Sequence, residues 1–109
     1  MKQVKKPEYI IRTLRKLRKE LEILDSRLEH IAMARMPEKI EIIDDAGNTL
    51  TRIDSMVNVI DTCLLRLEDE YEDPDFKDFY IWRSETEFIP DSEKLIKHGN
   101  NLIRRYNWR

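Results

Sequence analysis

Residues 9–24 read YIIRTLRKLRKELEIL, with aliphatic and basic side chains interleaved and no glycine or proline among them. Such a run suits a nucleic-acid-binding helix, a membrane-surface helix, or one helix of a coiled coil with a charged back. Spacing separates these readings. Ile10, Leu14, Leu17, Leu21, Leu24, Leu28 and Ile31 follow one another at intervals of 4-3-4-3-4-3, the a/d heptad register that aligns one apolar seam along a helix. Pro7 fits a first helical position, and Pro37 stops the pattern. Helix 1 is placed in residues 1–35, starting near Pro7.

A second seam lies downstream. Leu50, Ile53, Val57, Ile60, Leu64, Leu67 and Tyr71 repeat at 3-4-3-4-3-4. Thr51 followed by Asp54 resembles a capping box, and the sequence EDP closes the pattern, so helix 2 is expected over 50–72. Two seams of similar length predict an antiparallel helical hairpin, coiled-coil-like in its packing. Charge supports that pairing. Residues 1–19 carry eight basic side chains against Glu8, while residues 68–78 carry seven acids against Lys77. Each run opposes its own helix macrodipole, and antiparallel pairing sets the two runs side by side.

The connection at 36–49 contains alternating Ile40 and Ile42 and the turn-forming run DDAGN. It is expected to be an ordered loop, or a small β-hairpin over 39–52. Its acids lack the alternating oxygen ligands of a calcium loop, so no metal is expected.

Eight of the nine aromatic residues lie at or beyond Tyr71. Residues 73–109 are therefore expected to supply an aromatic helical layer over the hairpin. Asp73 would cap a short helix with Pro74 at its first position and Phe76, Phe79 and Tyr80 on one face. Asp91 would cap a further helix, which Gly99 weakens. Apolar residues off the seams (Ile11, Ile23, Met33, Met56, Val59 and Leu65) widen the stripe beyond two helices. They predict both a third layer and self-association. The whole chain, 1–109, is expected to form a single all-α domain.

Composition narrows the function. Hydrophobic residues form 40% of the chain and charged residues 39%, too apolar for disorder and too charged for a membrane protein. Charges interrupt every apolar stretch, so neither a signal peptide nor a spanning helix is expected. The lone Cys63 fits a small buried residue in a reducing, cytoplasmic setting. The formal charge of -2 divides into +5 over residues 1–35, -12 over 36–93 and +5 over 94–109.

The acidic middle points first to a protein-binding or regulatory module that docks on a basic partner surface, including a groove that ordinarily holds nucleic acid. Glu68, Glu70, Glu72, Asp73, Asp75, Asp78 and Glu85 would supply the charge, and Trp82 an anchor. The alternative is nucleic-acid binding. Arg12, Arg15, Lys16 and Lys19 face away from the helix 1 seam, and Arg104, Arg105 and Arg109 flank Tyr106 and Trp108. An overall acidic balance and the lack of a recognisable binding motif oppose it. Catalysis is not expected. His30 and His98 stand 68 residues apart, a single cysteine offers no metal cluster, and no glycine loop cradles phosphate. No cofactor or small-molecule substrate is expected, and helix 1 lacks the aromatic face of a membrane-surface helix. Small size, charge density and Ile/Lys/Glu/Asp-rich usage are similar to the short helical proteins of bacterial phages and mobile elements. That likeness of composition implies a regulator or inhibitor of a host factor.

Overall fold

The computed structural model describes residues 7–34 and 40–107, which are almost wholly helical. Helix α1 spans Pro7–Ala32, α2 Ile40–Glu68, α3 Pro74–Arg83 and α4 Ile89–Asn107. A π-helical turn, Ser84–Phe88, joins α3 to α4. The helix 1 region beyond Ala34, with Pro37, lies outside the described residues.

All seven seam residues of α1, from Ile10 to Ile31, are buried. Their partners on α2 fall in number as α1 advances. Arg15 meets Glu68, Arg18 meets Asp61, and Asp25 faces Asp54. The two helices therefore run in opposite senses along this contact. Arg18 grips Asp61 through both Nε and Nη2 and also reaches Glu22 at 3.0 Å. These pairs are largely exposed and contribute register more than energy.

The expected connection at 36–49 needs correction. Residues 40–49 are the first turns of α2, and no strand occurs among the described residues, so the β-hairpin over 39–52 is not formed. Thr51 and Asp54 lie inside the helix and cap nothing. The cause is a second seam, Ala46, Thr49, Ile53, Met56, Ile60, Cys63 and Leu67, which shares Ile53, Ile60 and Leu67 with the expected one. Ala46 and Thr49 are fully or almost fully buried, whereas Leu50 and Val57 are only half-buried. Thr49 tolerates burial because its hydroxyl donates to the Asp45 carbonyl oxygen at 2.7 Å. Gly47 rides the open side of the helix, with space around it for a methyl group. Gly47→Ala is accordingly expected to stabilise the fold by about 0.5–1 kcal/mol in urea unfolding. In a turn that needs a positive φ it would destabilise instead.

Helix α2 ends at Glu68 rather than near residue 72. Asp69 takes the Tyr71 N–H with its side chain at 2.9 Å, an Asx turn that competes with the helix. Tyr71, expected in the seam, is 89% exposed. Asp73 then caps α3 by accepting the Asp75 N–H at 2.9 Å, with Pro74 in the first turn.

The C-terminal layer packs on α1 and α2. Its buried hydrophobic side chains are Ile81, Phe88, Leu95, Leu102 and Ile103, so the layer is mainly aliphatic where aromatics were expected. Ser84 donates to the Tyr80 carbonyl oxygen at 2.7 Å and lies 3.1 Å from Cys63 Sγ. His98 Nε2 lies 3.2 Å from Asp45 Oδ1. Between these two contacts the partner on α2 falls from residue 63 to residue 45, so α4 runs opposite to α2. The π turn ends at Phe88, where the Ile89 N–H donates to Ser84 O, and Pro90 falls in the first turn of α4, where its missing N–H is tolerated. Asp91 consequently lies within α4 and does not cap it, and the helix continues unbroken through Gly99. Gly99 is buried because Leu24 of α1 packs directly on it.

Burial pushes the Asp25 carboxyl above its ordinary value of 3.8, and the facing Asp54 adds to the shift. A raised folded-state value favours folding at low pH and is lost as pH rises through it. Charged Asp25 therefore costs stability near neutrality. Asp25→Asn is expected to raise the melting temperature at pH 7, and the gain should vanish as pH falls toward the ordinary carboxylate range.

Candidate protein-docking site

Helix α3 carries Phe76, Phe79, Tyr80, Ile81 and Trp82 distributed around its circumference. A helix can bury only one stripe of such a set. Ile81 takes the buried position, and Phe76, Phe79 and Trp82 remain 57%, 45% and 48% exposed. These three rings follow an i, i+3, i+6 row. Of the three aromatics expected on one face, Tyr80 packs partly against the core, whereas Phe76 and Phe79 stay exposed. Phe79 touches Tyr80 edge-on at 5.6 Å and Trp82 at 6.3 Å between ring centroids.

The row is pinned at its end by Arg83. Its guanidinium carbon lies 5.6 Å from the Phe79 ring centroid and 5.1 Å from that of Phe88. It also donates to Glu87 at 2.9 Å. Cation–π stacking on both sides holds the exposed Phe79 against the buried layer. Asp75 and Asp78 form a parallel row beside the rings, both exposed and neither in an ion pair among the described residues.

The expected acidic set separates into two groups. Glu68 is engaged by Arg15. Glu72 is mostly buried, accepts from Arg66 at 3.0 Å and accepts the Asp73 N–H at 3.2 Å. Asp73 is occupied as the cap of α3. These three carboxylates serve the fold. Glu70, Asp75, Asp78 and Trp82 are exposed, and Glu85 is half-buried in the π turn. Phe76 and Phe79 join the candidate site although their hydrophobicity suggested core. Phe76, Phe79, Tyr80, Ile81 and Trp82 together exceed any one stripe of α3, and that is the signal in the sequence that some of them face outward.

The basic residues are brought together differently. Arg15 is tied to α2, while Arg12, Lys16 and Lys19 stand exposed on one face of α1. Lys16 and Arg104 line the same groove between α1 and α4, about 870 Å³ in volume. Arg104 and Arg105 also border a cleft of about 640 Å³ with His98 and Ile42. Arg109 lies outside the described residues. Tyr106 packs partly against the core.

Cys63 is buried, and desolvation pushes its thiol up despite the nearby Ser84 hydroxyl. A thiol held in that form is a poor nucleophile. Among the described residues no three His, Cys, Asp or Glu side chains gather as a metal site, and no helix is long and apolar enough to cross a membrane. No family model, curated protein or solved structure matches the chain.

Proposed function

We propose that this chain is a non-catalytic, cytoplasmic protein-binding module in which a coiled-coil-like hairpin and its C-terminal layer present α3 to a basic partner surface. One observation carries this reading. Helix α3 buries Ile81 alone, while three large aromatic side chains lie open beside Asp75 and Asp78, which form no ion pair among the described residues. Contiguous exposed aromatics are uncommon on a surface that binds nothing. Aromatic anchors ringed by charge are the usual composition of an interface centre and its rim. Glu70 and Glu85 extend the negative field that would steer a basic partner. A regulator or inhibitor would act by occupying such a surface.

A photo-reactive benzoylphenylalanine at position 79 tests this, with the same probe at the exposed Leu65 of α2 as control. Irradiation in host lysate should give an adduct from position 79 only, and Asp75→Lys with Asp78→Lys should abolish it. Adducts indifferent to that charge reversal, or no adduct specific to position 79, would sink the proposal.

A second reading rests on Lys16 and Arg104 sharing one groove. It assigns that groove to a nucleic-acid backbone. Affinity for mixed DNA and RNA should then fall steeply with salt and be lost in Lys16→Ala with Arg104→Ala. Absence of binding at low salt removes this reading.

A further inference from the structure

The groove between α1 and α4 has an apolar floor of Tyr9, Leu17 and Ile96 and a cationic rim of Lys16, Lys97 and Arg104. Neither Lys16 nor Lys97 forms an ion pair among the described residues. Glu20 and Glu93 line the groove as well, leaving three cations against two acids. Arg12 and Lys19 extend the positive rim, about one turn to either side of Lys16 on the same face of α1. The outer face of α3 offers the opposite pattern, with aromatic knobs beside the exposed carboxylates of Asp75 and Asp78. One chain thus carries both a cation-rimmed apolar groove and an acid-edged aromatic ridge.

We infer that the partner for α3 is a second copy of this chain, the ridge of one copy docking in the α1–α4 groove of the other. This rests on α3 being a docking face, as proposed above. Charge complementarity selects the occupant. The acidic middle of the chain matches the excess of base at its two ends, and a docked Asp75 and Asp78 would offset the surplus cation of the groove. The apolar floor would receive rings that the isolated chain leaves in water.

Sedimentation of the full-length chain over a range of concentrations, at low and high salt, reads the association directly. Wild type should associate at low salt and weaken as salt rises. Reversing the groove (Lys16→Glu with Arg104→Glu) or the ridge (Asp75→Lys with Asp78→Lys) should each weaken association by at least about tenfold. Mixing the two reversed variants should restore it, because each mixed contact regains opposite charges. Circular dichroism confirms that each variant is folded, as all four positions are exposed. Wild type that stays monomeric at low salt overturns the inference. So does association that neither reversal affects, or a mixture that fails to recover. A monomeric wild type that still gives the position 79 adduct with another protein would overturn self-association alone and leave α3 as a docking face.

Discussion

Aspartate in place of Ala46 is expected to unfold the chain or remove at least about 3 kcal/mol of stability. As part of a DDAGN loop, position 46 would accept a third acid with little consequence. In the structure it is fully buried in the second seam of α2, beyond the reach of water. No base lies in that seam, so a carboxylate there must either remain charged without a partner or take up a proton. Both routes cost stability, and the first four turns of α2 lose their packing. The same substitution at the neighbouring Asn48, which is exposed, should change stability by no more than about 0.5 kcal/mol. Urea unfolding of the two variants side by side measures the contrast. Equal, small effects would mean that residues 40–49 do not pack as helix.

The contact between Leu24 and Gly99 supplies the other large effect. Leu24→Ala alone should cost about 2–5 kcal/mol, since the side chain is almost fully buried and its removal leaves a cavity. Gly99→Ala alone introduces a Cβ that would lie 2.5 Å from Leu24 Cδ2 and 2.9 Å from Cδ1 and Cγ. Three such approaches cannot be relieved by moving one methyl group, so overpacking of about 1–3 kcal/mol is expected. That outweighs the gain of about 1 kcal/mol from replacing a helical glycine. The double variant places the new methyl in the space left by Leu24. It should be more stable than the sum of the single losses implies, by about 1 kcal/mol or more. Strict additivity in a double-mutant cycle would show that α1 and α4 do not meet at this point. The opposite expected signs of Gly47→Ala and Gly99→Ala follow from the same geometry, open space at one and Leu24 at the other.

The seam of α1 was legible because leucine and isoleucine occupy every position in it. The first turns of α2 were not, because their seam is made of Ala46 and Thr49 among Asp44, Asp45, Gly47 and Asn48. Local preference there favours a turn, and tertiary burial of two small side chains overrides it. Gly99 misleads in the same direction. It weakens a helix in isolation, yet here its missing side chain lets α4 approach Leu24. Of the candidate site, Trp82, Asp75 and Asp78 were legible from charge and residue type. Asp73 was legible as a cap because Pro74 follows it. Glu68 and Glu72 looked equivalent to the site carboxylates in sequence, and only the positions of Arg15 and Arg66 show that these two are engaged in holding the fold. Hydrophobicity alone does not tell which aromatics of α3 face outward; the helix has one inward position, and Ile81 fills it.

The central claim is that the rings of α3 are displayed for a partner and do little for folding. Urea unfolding of the Phe76→Ala, Trp82→Ala double variant under dissociating conditions (low concentration and high salt) tests it most directly. Both side chains are about half exposed, so the account predicts a loss below about 1.5 kcal/mol with the helical content retained. A loss of about 3–5 kcal/mol or more, the range for truncating a single buried aromatic, would place these rings in the core and contradict it.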